Sequence, residues 1–319
     1  MKALKELSQD ELEIGIERGD ADSMYELGRR FYEGDGVEQD YSRAVPLIKA
    51  SAQAGNPAAQ CTFGYMCCYG VGVPEDKIAA IKWYRHAADQ GYAKAQYDLG
   101  YLCDTGQGIR VNKMEAAKWY YLASDKGHAG AQCNLANLYF HGSGVRLDKE
   151  EAIRLYHLAA EKGNVEALFN LGRIYETGDG VERNDETAVE FYRLAAMTGD
   201  ANSLYTLGIR HLSGNGVRLD TVKATRMLEA SARKGNVEAM YVMGSLYYSG
   251  TGVDRDPRKA AMYFTAGMRR WHPSSIYHLG LLYMKGEGVE QDQRRGVGLV
   301  KLAAEMGEPE AIAMLAANE

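Results

Sequence analysis

Proline is scarce in this chain, six in 319 residues, which excludes a proline-rich linker or a low-complexity tail. Cysteine is scarcer still. The five, Cys61, Cys67, Cys68, Cys103 and Cys133, are odd in number and form no Cys-x-x-Cys pair, so they indicate neither a disulfide framework nor a zinc site. Cys67 and Cys103 hold the same place in adjacent repeats. Neighbouring helices would set their α-carbons about 10 Å apart, beyond the roughly 7 Å a disulfide spans. There is no basic excess either: a net charge of −6 argues against a general nucleic-acid binder. The cluster Arg255, Arg258, Lys259, Arg269 and Arg270 reads as a solvated helix face. No stretch approaches the roughly 20 apolar residues of a membrane span, and the segment up to Asp20 has no signal-peptide core. The expectation is a cytoplasmic protein with no membrane insertion, no nucleic acid and no cofactor.

What the chain does have is a period. From Gly19 to Met306 it repeats every 36 residues, eight times and without insertion, opening at Gly19, Gly55, Gly91, Gly127, Gly163, Gly199 and Gly235, then Trp271, with glycine returning at Gly307. Such a period denotes a solenoid, whose units share cores with their neighbours. A hydrophobic content of 46% is ample for that burial. The expected division is a capping helix over 1–18, repeats over 19–54, 55–90, 91–126, 127–162, 163–198, 199–234, 235–270 and 271–306, and a second capping helix over 307–319.

One unit shows the construction. In the second, Asn56 is suited to N-cap a helix A and Pro57 to its first position, and Gly70 stops it near Tyr69. Asp76 then caps helix B, a role that recurs at Asp40, Asn112, Asp148, Asn184 and Asp220, and again at Asp256 and Asp292. A helix-A glycine recurs at Gly28, Gly64, Gly100, Gly172, Gly208, Gly244 and Gly280, with Ala136 in the fourth unit. Glycine inside a helix costs up to about 1 kcal/mol, so these positions predict close helix contacts, with the helix-B alanines Ala44, Ala80, Ala116, Ala152, Ala188, Ala224 and Ala260 facing them. Pro46 is expected to interrupt the first helix B, and Ser8 to Glu11 reads as a capping box.

Catalytic and cofactor motifs compare poorly with this architecture. Each unit's Gly-x-Gly turn lacks the third glycine and preceding strand of a dinucleotide site, and it recurs between helices in every unit. The histidines show no metal-ligand spacing, and no serine, cysteine or lysine stands in a nucleophile context. Cys61 and Cys133 replace an aromatic residue and read as packed thiols.

The stretch from Ala167 through Leu171-Gly172, Tyr175, Gly178-Asp-Gly180-Val181, Ala188 and Phe191-Tyr192 to Ala195-Ala196 and Gly199 resembles the Sel1-like repeat family, relatives of tetratricopeptide repeats. The resemblance covers most of the chain. It implies an all-α, α/α right-handed superhelical solenoid of eight 36-residue helix-turn-helix repeats, with a concave surface used in relatives for protein contact. Residues three and four apart share a helix face. By analogy with that fold, the variable row on helix A lines the groove: Thr62, Tyr65 and Tyr69; Asp98 and Tyr101; Asn134, Asn137 and His141; Asn170 and Arg173. Tyrosine and arginine are enriched at binding hot spots. The resulting expectation is a bacterial, non-enzymatic scaffold that binds a protein or peptide, as an adaptor or as a toxin-neutralising immunity-type protein. The competing reading is a binder of small molecules or peptidoglycan fragments, or a β-lactam-related hydrolase. Relatives linked to β-lactams are secreted and disulfide-paired, and this chain lacks the paired cysteines.

Overall fold

A computed structural model describes residues 4–317, so residues 1–3 and 318–319 of the two expected capping segments lie outside the described residues. Among the described residues every regular element is helical. The chain divides between Ala167 and Leu168 into two compact units.

The first unit begins with a 3-10 turn over Leu4–Glu6 and helix α1 (Gln9–Glu17). Ser8 and Glu11 exchange the two bonds of the expected capping box. Helix pairs follow: α2 (Ala21–Glu33) with α3 (Tyr41–Gln53), α4 (Pro57–Tyr69) with α5 (Lys77–Asp89), α6 (Ala93–Thr105) with α7 (Lys113–Asp125), and α8 (Ala129–His141) with α9 (Lys149–Glu161). Each pair packs together, and α3, α5 and α7 also pack on the next helix A. Arg30 ties the amino-terminal turn to α2 by donating to the Lys5 carbonyl at 3.0 Å. The interruption expected at Pro46 does not occur: α3 has the same 13 residues as its sister helices. Pro46 is exposed, so the carbonyl deprived of its donor can be met by water.

Helix α10 (Val165–Thr177) contains the division. Beyond it the second unit has α11 (Asp185–Met197), α12 (Ala201–Ser213), α13 (Thr221–Arg233), α14 (Val237–Ser249), α15 (Pro257–Met268), α16 (Pro273–Lys285), α17 (Gln293–Glu305) and α18 (Pro309–Ala316). Every helix B from Asp40 to Asp292 carries the expected side-chain N-cap bond. The unit-opening glycines are left-handed, and Trp271, which replaces one, adopts φ 59° as well. That conformation costs a non-glycine residue about 1–2 kcal/mol.

The helix-A glycines make close contacts, but mainly with a different partner from the one expected. A Cβ at Gly172 would lie 2.6 Å from the Tyr192 ring, one at Gly100 2.8 Å from Tyr120, and one at Gly244 2.6 Å from Phe264. The facing residue is thus four positions beyond the alanine, one helical turn along the same stripe. In the sixth unit Leu228 approaches most closely, with the Ala224 carbonyl behind it. Glycine makes room for a large, fully buried side chain, which explains why Tyr84, Tyr120, Tyr192 and Phe264 are at most 2% exposed.

Candidate functional site

In the first unit, helices α2, α4 and α6 surround a cavity of about 220 Å³ lined by Tyr25, Tyr32, Thr62, Tyr65, Tyr92 and Lys94, among others. The Tyr25 and Thr62 hydroxyls lie 3.2 Å apart, and the rings of Tyr65 and Tyr69 are 4.6 Å apart. Lys94 Nζ sits 5.8 Å from the Tyr65 ring centre and 3.4 Å from the Asp98 carboxylate. On the α2 side, Arg29 is occupied by Glu26 at 2.9 Å, Asp35 at 2.8 Å and Glu33. Lys94 is therefore the more available cation, and its side chain is half exposed.

Tyr92 breaks a local rule here. It occupies the N-cap of α6 and makes no side-chain cap bond. Asp20, Asn56 and His128 supply that bond to the other helices A of this unit. Forgoing a cap costs about 1 kcal/mol, and the ring goes to the cavity wall instead. Burial raises the Tyr25 and Tyr92 phenols above their usual range, so both stay protonated at neutral pH. Burial also raises the Asp98 carboxyl against the opposing pull of Lys94. Cys61, whose thiol lies 3.6 Å from Asp98, is pushed up too, by burial first and then by that carboxylate. A thiol so disfavoured as thiolate is a poor nucleophile. The cavity offers ring faces, hydroxyl donors, the Lys94 ammonium and the mutually paired Arg29 and Glu33, with the half-buried Asp98 carboxylate joined to it through Lys94.

The cavity takes in Thr62 and Tyr65, with Asp98 joined to it through Lys94 and Tyr69 through the Tyr65 ring. Tyr101 is half-buried. Exposed His141 turns its ring edge-on to Phe140. Asn134 and Asn137 are already engaged within the chain. Asn134 donates to the buried Tyr120 hydroxyl at 3.0 Å. Asn137 accepts from the Tyr156 hydroxyl and donates to Glu166 at 3.0 Å. Asn170, half-buried, and Arg173, exposed, stand on α10 in the second unit.

Sequence reasoning missed Tyr25, Tyr32, Tyr92 and Lys94. The available signal was the absent cap at Tyr92 together with the i,i+4 spacing of Lys94 and Asp98. In the second unit a larger cavity, about 700 Å³, opens at the start of α15 beside Arg255, Arg258 and Lys259, with Asp254 and Asp256 balancing them. Arg255 is further paired with Glu287 at 3.1 Å. Within the basic cluster, Arg255 is thus compensated by an ion pair.

The architecture and its repeats coincide with known proteins. The Sel1 repeat model matches residues 21–56, 57–92, 93–128, 129–164, 165–200, 201–236, 237–267 and 273–308. The chain belongs to the Sel1 repeat family. It is similar to c5321, a protective antigen of uropathogenic Escherichia coli strains displaying an SLR fold, at 32% identity and TM-score 0.83 over 98% of this chain and 67% of that one. A Sel1 repeat protein from Oxalobacter formigenes aligns at 28% identity and TM-score 0.73 over 99% and 93%. A search of curated proteins gave no match. No helix among the described residues is long and apolar enough to cross a membrane.

Proposed function

We propose that this chain is a non-enzymatic binding scaffold whose helix-A face, around Tyr25, Tyr65, Tyr92 and Lys94, holds a segment of a partner protein. The observation that carries the reading is Tyr92, which occupies a capping position without capping and lines a cavity. Local stability given up at one place is a mark of function. A stacked array presents such contacts already ordered, which lowers the entropic cost of association. Size favours a peptide side chain over a free small molecule: about 220 Å³ falls short of the roughly 300–1,000 Å³ of ordinary ligand pockets. The partner role is that of an adaptor holding a peptide, or of an immunity-type inhibitor covering a folded toxin through an interface of about 1,600 Å² or more.

Tyr92→Asn installs the residue that Asn56 supplies one unit earlier. It should stabilise the fold by up to about 1 kcal/mol while weakening capture of the native partner from host lysate about tenfold, a loss of about 1.4 kcal/mol in binding. Partner capture is read by quantitative mass spectrometry beside a Tyr65→Ala variant. Undiminished capture by both variants would remove the site from this face.

A further inference from the structure

Helix α7 carries a second surface, away from the tyrosine cavity. Met114, Ala117, Lys118 and Tyr121 follow the i, i+3, i+4, i+7 spacing of one helix stripe, and Leu122 extends it. That spacing normally marks a face packed inward. Here Met114 is 61%, Tyr121 59% and Leu122 42% exposed. With Leu135 and Tyr139 of α8 and Val145 of the following turn, they line a groove of about 410 Å³.

The repeats themselves mark this stripe as unusual. The place of Tyr121 is taken in the sister units by Lys49, Arg85, His157, Arg193, Glu229, Thr265 and Lys301, all polar. The place of Met114 is polar in five of the seven sister units, at Ser42, Glu150, Glu186, Arg258 and Arg294, with Ile78 and Val222 in the other two, whereas leucine recurs at the place of Leu122 in Leu158, Leu194 and Leu302. The scaffold needs no apolar side chain at the place of Tyr121, and the α7 unit is where an exposed tyrosine joins exposed Met114 and Leu122; a contiguous exposed apolar patch denotes an interaction surface.

Charge identifies the occupant. Lys118 lines the groove and Arg146 follows Val145; both are exposed. Neither is ion-paired among the described residues. Glu115, on the same helix, is engaged with Trp119 Nε1 at 3.1 Å. Pairing this face with a second copy would set like charges against each other. We propose that the groove between α7 and α8 docks an amphipathic helix of a partner protein, seating its aliphatic side chains on Met114, Tyr121 and Leu122 and its flanking carboxylates against Lys118 and Arg146. Helix α7 is about 20 Å long at 1.5 Å per residue, which matches an occupant of roughly four turns. This is helix-in-groove recognition. It uses a different face from the proposed tyrosine site and stands independently of it.

The test uses the whole chain and two fluorescein-labelled helical peptides of about 14 residues. Both carry leucine at i, i+3, i+4 and i+7, one with glutamate and the other with lysine at the remaining positions. By anisotropy the glutamate peptide should bind about tenfold tighter than the lysine peptide and weaken with salt. The variant Met114→Glu/Tyr121→Arg, built from residues that sister units already carry, should keep its melting temperature and lose about tenfold in affinity. Lys118→Glu should turn the preference toward the lysine peptide. Equal affinity for both peptides, no binding at about 1 mM, or binding unchanged in the double variant would each overturn the proposal. Two other results would also overturn it by assigning the face elsewhere. One is co-sedimentation with phosphatidylserine vesicles without peptide binding. The other is a wild-type dimer in sedimentation velocity that the double variant dissolves.

Discussion

In the first unit the buried residues Gln60, Gln96 and Gln132 each donate a side-chain amide to a carbonyl of the preceding helix B, at Ala52, Ala88 and Ser124. In the second unit the same register holds Leu168, Leu204, Met240 and Ile276. The carbonyls concerned already accept a backbone bond in both units, for example Gly91 N to Ala88 and Gly235 N to Ala232. The amide therefore adds a second bond to a satisfied acceptor, and the apolar version gives up little. What differs is the demand placed on the rest of the amide. Gln60 Oε1 receives Gln90 Nε2 at 2.8 Å and Gln132 Oε1 receives Lys162 Nζ at 3.3 Å. Gln96 Oε1 is buried without a partner: Lys126, like Lys162, donates to the carbonyl of a unit-opening glycine, but only Lys162 also reaches the glutamine oxygen. The second unit concentrates buried polarity elsewhere. Arg210, 3% exposed in a register otherwise apolar except for Arg30, meets Glu176 at 2.6 Å and Asp185 at 3.6 Å, and the Tyr192 hydroxyl donates to Glu176 at 2.6 Å. The first unit distributes neutral amides over the junctions beyond its first helix pair and gathers charge around buried Glu26, which Arg29 and Arg30 hold, whereas the second places one buried cation, Arg210, among two carboxylates.

The largest expected effect lies where the units agree. Gly172→Val in the second and Gly100→Val in the first should each destabilise by about 3 kcal/mol, because the new side chain overlaps a buried ring. Chemical denaturation measures both, and an unchanged midpoint in either would show that the ring can move aside. Next comes the buried arginine of the second unit. Arg210→Met should cost about 2 kcal/mol by leaving Glu176 without its cation, less than a fully buried pair because Glu176 is about a third exposed and Asp185 keeps Arg183 at 2.9 Å. Adding Glu176→Leu should recover part of that loss in thermal unfolding, whereas an additive loss would mean that the cluster is no unit.

Smaller effects sharpen the amide comparison. Gln132→Leu should cost about 1 kcal/mol, while Gln96→Leu, which removes an unsatisfied buried oxygen, should be neutral or stabilising by up to about 1 kcal/mol. Equal losses from both would contradict the difference drawn between them. The smallest effect depends on pH. His128 caps α8 by accepting from Ala131 N through Nδ1 at 3.2 Å and stacks on Tyr97 at 4.5 Å. Burial depresses it below its ordinary 6.5. Its stabilising contribution is thus complete above pH 6.5 and is lost as pH falls through the depressed value, since protonation removes the acceptor. His128→Asn should abolish this acid-side loss; a melting temperature with the same slope below pH 6.5 would show that His128 does not cause it.

Legibility followed the range of the interaction. The capping residues from Asp40 to Asp292 and the capping box at Ser8 involve atoms within three residues of one another, and the sequence alone located them. The alanine facing each glycine was misassigned by one helical turn, because the rotation of one helix against another is settled by how the rings of Tyr120 and Tyr192 fit. Similarly, Asn134 and Asn137 look available on a helical wheel, yet the buried phenols beneath them engage their amides. Tyr92 was visible as a departure from the capping pattern, but the cavity it faces involves residues as far apart as Tyr25 and Lys94.

By itself the sequence determined the period, the helical class, the helix ends and membership of the Sel1 repeat family. Each follows from capping and turn chemistry written into every 36-residue unit. Only the tertiary structure decided that Thr62 and Tyr65 share a cavity with Tyr25, Tyr92 and Lys94, and that the stripe of α7 stays exposed. It also decided that Trp271 takes the left-handed conformation of the glycines it replaces. There the physical reason is plain: the turn between α15 and α16 must close for both helices to pack, and that packing outweighs the preference of one residue for its own backbone region.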